Sequence, residues 1–426
     1  MNRSNAPAIK DAVEFDVLLK PYEKFTLDNG IPVYVVKAAE QDTLQLELVF
    51  PAGSWHETES LVATATNFLM KNGTAHHSAL EINEAIDYYG AYLNRTCAHE
   101  NATYTLHCLS KHLPALMPTL QAVIQEPSFP EEELAIYKQN MKQRLVVNLQ
   151  KSEFVANRYI DKYLFGEFHP YGRVSSMEGY DALQTETLKT FYQRHYTYNN
   201  CRIFMAGNVP GNAIDLLNER FGKAQWNGNS HIVKPELPIQ PAEEKKYRIF
   251  NDENGVQGSI RIARPFPNRY HPDFSKMLVL NTIFGGYFGS RLMNNIREEK
   301  GYTYGIHSQV HNFRQTSAIN ITTEAGRDVC EAAIVEIYKE MERLQTELIP
   351  EDEISLVRNY MIGAILGDLD GAFHIITRWK NLILNDLDEH YFYNNIRMIK
   401  EISVEELQHL AKLYYNPGEF YELVVI

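Results

Sequence analysis

Two histidines four residues apart, in "HSQVH", form a pair in this 426-residue chain that could share a metal ion: His307 and His311. On a helix that spacing puts both imidazoles on one face, within reach of one ion. The segment after "GYTYGI" reads as extended instead, where four residues span roughly 13 Å and no single ion bridges them. His76 and His77 are adjacent in a loop and read as solvated. His99, beside Glu100, reads as a polar strand end, and His169 in "FHPYG" as part of a turn. The four cysteines, Cys97, Cys108, Cys201 and Cys330, lack the close spacing of a zinc or redox motif. "IFGGYFGSRL" gathers Gly285, Gly286 and Gly289, which permits a tight backbone approach. The lysine and Ser/Thr of a phosphate loop are missing, so it reads as a turn before the helix "SRLMNNIREEKG". That helix carries Arg297, and Tyr304 follows it. From the residues alone, Arg297 pairs with Glu298, Glu299 or another carboxylate, and Tyr304 packs in the core.

Composition narrows the function class. A formal net charge of −13 argues against a nucleic-acid binder, which would carry a basic stripe. Scattered thiols favour a reducing compartment. The N-terminus, "MNRSNAPAIKDAVEFD", has no apolar core of a secretory signal, and no stretch approaches the ~18 apolar residues of a membrane span. The expectation is a cytoplasmic protein without a membrane partner, periplasmic if a signal has been removed.

The elements that must position any site come in two sets. Residues 1–13 read as a loose arm. "KFTLDNGIPVYVV" reads as strand, Asn-Gly turn, strand. "TLQLELVF" alternates, with Leu44, Leu46, Leu48 and Phe50 on one face, and "NATYTLHCL" alternates too. "ESLVATATNFLMKNG" reads as a helix closed by Gly73, and "SALEINEAIDYYG" as one capped by Ser78. Residues 222–246, rich in Pro and Gly without periodicity, read as a linker between domains at 14–221 and 247–426. The halves repeat. "FPEEELAIYKQNMKQRL" from Phe129 matches "IPEDEISLVRNYMIGAI" from Ile349, and "LQTETLKTFYQRHY" from Leu183 matches "ISVEELQHLAKLYY" from Ile402. The offsets are 220 and 219 residues, which marks a duplication. Antiparallel-style strands mixed with long helices give an α+β fold in each half.

"FPAGSWHETES", "KNGTAHHSALEINEAIDYYGAYLNRTCAHENATYTLHC", "HPYGRVSSMEGYDALQTETLKTFYQRHYTYNNCRIFMAGNV" and "FGGYFGSRLMNNIREEKGYTYGIHS" stand in that order. Together they resemble the M16 peptidase family (insulinase, pitrilysin, mitochondrial processing peptidase), in its short-chain branch. The resemblance covers nearly the whole chain after the arm. It implies two duplicated domains, each a mostly antiparallel sheet packed with helices, arranged as a clamshell. It also implies that Arg297 and Tyr304 face substrate.

In active members of that family, an inverted His-x-x-Glu-His motif supplies two zinc ligands and the base, and a distant glutamate the third ligand. Anchored on "NGT", the resemblance puts Thr64, Asn67 and Phe68 at the motif positions; the family's usual gap leads on to Arg144. Threonine is a poor zinc ligand, phenylalanine none, asparagine no base, and arginine repels a cation. The expectation is a chain without its own metal. It acts as the non-catalytic subunit of a heterodimer whose zinc-bearing M16 partner cleaves a peptide substrate. This chain would supply Arg297 and Tyr304 in trans to stabilise the oxyanion. The glycine-rich stretch is then a candidate for substrate contact, and the strand in "GAYLNRTCAHENATYTLHC" is either a peptide-accepting edge or an ordinary one. Two alternatives stand beside this: a structural protein resembling respiratory-complex core subunits, and an active peptidase with a rewired site. A homodimer in isolation is compatible with each.

Overall fold

The computed structural model describes residues 11–38, 41–228 and 237–426. Residues 1–10 of the expected arm and 229–236 of the expected linker lie outside the described residues. The first half builds one six-stranded sheet from β1 (Glu23–Thr26), β2 (Pro32–Lys37), β3 (Thr43–Phe50), β4 (Tyr92–Cys97), β5 (Ala102–Leu109) and β6 (Arg202–Gly207), in the order β1-β2-β6-β3-β5-β4. The second builds a five-stranded sheet from β7 (Lys246–Ile249), β8 (Gln257–Phe266), β9 (Thr303–Asn312), β10 (Ser317–Gly326) and β11 (Tyr421–Val425), in the order β7-β11-β8-β10-β9. Without β1, the two orders are the same. The parallel pair β2–β6 recurs as β7–β11, and the remaining pairs are antiparallel.

Local chemistry explains the elements. β1 and β2 form a hairpin whose turn carries Gly30 at φ +95°, a conformation glycine adopts without strain. The helices Glu131–Leu149 and Glu351–Gly367 both start after a proline with three acidic residues in the first turn, which complements the helix dipole. Ser78 and Glu81 form the capping box of the helix Ala79–Asp87.

The halves are clasped by exchanged helices. The helix Ser152–Phe165 leaves the first half and packs on β8 and β11. There Val155, Ile160 and Leu164 share a core with Ala263, Leu423 and Val425. Its counterpart in the repeat, Ala372–Leu384, packs on β2 and β6, with Ile376 and Trp379 beside Tyr34 and Phe204. Polar locks fix both crossings. Arg261 of β8, 2 % exposed, donates to Asn157 Oδ1 (2.7 Å) and pairs with Glu324 (2.8 Å). Lys380 donates to Glu47 of β3 (2.7 Å).

Three expectations change. β3 is not one-faced: Gln45, Glu47 and Val49 are buried as well, because the exchanged second-half helix covers the face opposite the leucines. The arm is docked where it is described. The Ala12 N–H donates to Asn359 Oδ1 (2.8 Å), and just beyond the arm Val17 and Leu19 enter the second-half core. The helix expected to run to Gly73 is Val62–Leu69. Gly73, at φ +152°, sits against Pro130, where a Cβ would come within 2.9 Å.

Candidate functional site

The helix Val62–Leu69 starts under strain. Leu61 has φ +74°, and the Glu57 carboxylate caps the first turn by accepting from the N–H groups of Leu61 (3.2 Å) and Ala63 (3.0 Å). Arg173 anchors that carboxylate at 3.2 Å. Burial raises the Glu57 pKa, and the two amides and Arg173 work against it.

This helix lies against the inward side of β4, on which Leu93, Arg95 and Cys97 alternate with exposed Tyr92, Asn94 and Thr96. Thr64 meets Cys97, Phe68 meets Arg95, and Lys71 Nζ, just past the helix end, donates to Leu93 O (3.4 Å). The helix thus runs antiparallel to the strand, one contact per turn. Burial pushes the Cys97 thiol up to about 12, against an opposing hydrogen bond from Thr64. Asn67 is buried: its Nδ2 donates to Tyr196 (3.3 Å), and its carbonyl accepts from Tyr104 (2.5 Å). The Phe68 ring lies 5.0 Å from that of Tyr137 and carries the Arg95 guanidinium 4.0 Å above it. Arg144 is exposed on the helix Glu131–Leu149.

These residues do not fit zinc. Phe68 is taken up in an aromatic–cation stack, and the Arg95 guanidinium there would repel a dication. Among the described residues, no group of three or more His, Cys, Asp or Glu is placed to hold a metal ion. His307 and His311 lie on β9, an extended strand.

Arg297 belongs to a π-helical turn, Met293–Glu299. Its guanidinium sits 4.7 Å over the Phe288 ring and forms an ion pair with Glu298. Tyr304 is the second residue of the edge strand β9 and is 92 % exposed, so it is not a core aromatic. The glycine-rich stretch is not a plain turn. Thr282–Gly286 continues the preceding helix as a π-turn, and Gly285 packs on β9, where a Cβ would meet Ser308 at 2.7 Å. The exposed residue it presents beside Arg297 is Phe288.

Sequence reasoning missed Arg95, Cys97 and Glu57. The signal for the first two was in "LNRTC", where the inward phase set by Leu93 falls on Arg95 and Cys97. It also missed a cavity of about 650 Å³ between the halves, lined by Trp55, His56, Glu100, Arg202 and Arg314 among others. His169 lies in a turn and His99 in the bend after β4, and both join Tyr171 and Phe313 in an aromatic cluster beside the cavity.

The fold defines a class: a duplicated α+β chain of two sheets packed with helices. Two family descriptions match the chain, "Insulinase (Peptidase family M16)" over residues 33–167 and "Peptidase M16 inactive domain" over 182–361. The chain belongs to peptidase family M16. It is 21 % identical to the uncharacterized zinc protease YmxG of Bacillus subtilis, over 95 % of this chain and 98 % of that one. The same fold occurs in a peptidase M16 inactive domain from Pseudomonas fluorescens (TM-score 0.83, 22 % identity, 95 % and 98 % covered). It also occurs in a chain of Complex III2 from Candida albicans (TM-score 0.73, 15 % identity, 95 % of each chain). No helix among the described residues is long and apolar enough to cross a membrane.

Proposed function

We propose that this chain is the non-catalytic, substrate-positioning subunit of a heterodimeric M16 zinc peptidase, working in the cytoplasm. The observation that carries the reading is the contrast between its two sites. At the metal positions, Thr64, Asn67, Phe68 and Arg144 offer no ligand set, and Arg95 brings a cation there. At the second-half site, Tyr304 stands free on a sheet edge with Arg297 on the turn that precedes it. A phenol hydroxyl and a guanidinium can hold a peptide carbonyl and stabilise the negative charge that develops on its oxygen. They need no metal in their own chain; zinc belongs to the partner in this reading. The Arg297 side chain is 31 % exposed and its partner Glu298 55 %; a pair open to solvent on one side holds weakly and can be exchanged for substrate.

A second reading, a structural subunit without proteolytic role, draws on that same Arg297–Glu298 pair and on the fold shared with the Complex III2 chain. The test is peptidase activity and metal content of the chain alone and after mixing with a zinc-bearing M16 chain. The proposal expects no zinc and no cleavage alone, and cleavage in the mixture above the level of the zinc-bearing chain by itself. Zinc-dependent cleavage by the isolated chain contradicts it, and no gain on mixing favours the structural reading.

A further inference from the structure

The cavity between the halves belongs to neither the metal positions nor the Arg297–Tyr304 site. Its volume, about 650 Å³, is that of a small-molecule site. Both halves build it. Arg202, the first residue of β6, and Glu100 and Asn101, from the connection between β4 and β5, come from the first. Arg314 and Gln315, from the connection between β9 and β10, and Leu384 come from the second.

Hydrogen bonds across the seam fix its shape. Glu100 Oε1 accepts from the Tyr171 hydroxyl (2.5 Å) and from the Arg314 N–H (3.2 Å). The Tyr171 oxygen in turn accepts from the Gln315 N–H (3.3 Å). The Arg314 guanidinium is committed to Leu384 O (2.6 Å) and to Asp386. A site held this way is preformed, so a ligand entering it has little to order.

Those bonds leave one charge uncommitted. Glu100 is the one carboxylate among the lining residues and is engaged. The Arg202 guanidinium has no hydrogen-bond or ion-pair partner among the described residues. Arg158 and Arg269 also lack a carboxylate, but they donate to Ser175 and to Asn312 O and line no part of this cavity. The Asn101 and Gln315 side chains are likewise without hydrogen bonds among the described residues. Trp55, 4 % exposed, and Leu384 supply apolar wall. The Trp55 indole N–H has no acceptor among the described residues, and a buried donor left this way calls for one.

We infer that the cavity binds a small organic anion, a monocarboxylate on an apolar body, with its carboxylate on Arg202 and its body against Trp55 and Leu384. A guanidinium takes a carboxylate bidentately, and one free cation matches one negative charge, where a polyphosphate would need several. The Asn101 and Gln315 amides can serve polar substituents on the body. A ligand seated there touches both halves and braces the seam that Glu47 and Lys380 lock elsewhere. The site uses neither Arg297, Tyr304 nor a partner chain, so it stands or falls apart from the proposed function.

The test is calorimetric titration of the isolated full chain with benzoate, phenylacetate and hydrocinnamate, each beside its primary amide, with acetate and inorganic phosphate as controls. At least one of the three acids should bind about tenfold tighter than its amide, the size expected for a charge-assisted hydrogen bond. Arg202→Gln should abolish that preference and leave the amide's affinity unchanged, and Arg202→Lys should restore part of it. Leu384→Trp, which fills the cavity from the second half, should weaken acid and amide alike. Binding by none of the three acids overturns the inference. So does equal binding of acid and amide, or a preference that survives Arg202→Gln. Unchanged binding in Leu384→Trp places the ligand outside the cavity and also overturns it. Acetate or phosphate binding as tightly as the best acid overturns the apolar-body assignment.

Discussion

Replacing Glu47 by leucine leaves the Lys380 ammonium in the seam between the halves without its counter-ion. The pair is short (2.7 Å) and little exposed: 7 % for the Glu47 side chain and 17 % for Lys380. Thr105 Oγ1 also donates to this carboxylate (3.1 Å) and loses its acceptor. Removing one member of a buried pair costs about 3–5 kcal/mol, and the residual exposure of Lys380 places this site near the lower end. Lys380→Met should cost less, about 2 kcal/mol, because Glu47 keeps the Thr105 hydrogen bond. The double variant, Glu47→Leu with Lys380→Met, removes both charges and should recover most of the loss, to within about 1 kcal/mol of the parent. The assay is urea unfolding followed by tryptophan fluorescence. Trp379 lies on the same exchanged helix, with its indole N–H on Lys20 O (2.9 Å), and reports the seam directly. If each single variant changes stability by less than about 1 kcal/mol and the effects add, the lock contributes little and the clasp rests on apolar packing alone.

Three further predictions concern stability. Burial, then His56 and Arg194, hold His195 down at about 4. The unfolded imidazole takes a proton first as pH falls, so this group's contribution is lost between about pH 6.5 and 4, up to about 3 kcal/mol. Burial pushes Asp161 up to about 7, which gives the opposite slope: its contribution is present below about pH 4 and lost as pH rises through 7. Asp161→Asn should therefore make stability climb with pH between about 4.5 and 7 more steeply than in the parent; superimposable profiles in a denaturation series would contradict this. Gly53→Ala should destabilise by at least about 1–3 kcal/mol, since its Cβ would lie 2.2 Å from the His99 carbonyl oxygen and 2.4 Å from that of Ala98. Thermal unfolding checks it, and an unchanged midpoint refutes the close approach.

Much of the fold was legible because it is written locally. The Asn29–Gly30 hairpin, the Ser78–Glu81 capping box and the acid-led helix starts each depend on a few neighbouring residues. The repeat was legible because both copies keep those local signals at nearly one offset. The helix exchange was not. Periodicity shows that Ser152–Phe165 has an apolar face, but not which sheet the face meets. The same limit hid the second buried face of β3: Glu47 reads as solvent-facing until Lys380, distant in sequence, is brought to it. At the candidate site, the poor ligand chemistry of Thr64 and Phe68 is legible as residue type. That Arg95 lies on Phe68 depends on how a helix and an edge strand pack, which no spacing within either segment encodes.

The central claim is that this chain contributes to cleavage from its second half. The most direct measurement is kcat of the mixed heterodimer carrying Arg297→Ala or Tyr304→Phe in this chain, with heterodimer formation monitored in parallel. The account predicts a fall of about 10²–10³-fold for at least one of them, the usual cost of removing an oxyanion donor, with assembly intact. An unchanged kcat for both variants in an assembled heterodimer would contradict it.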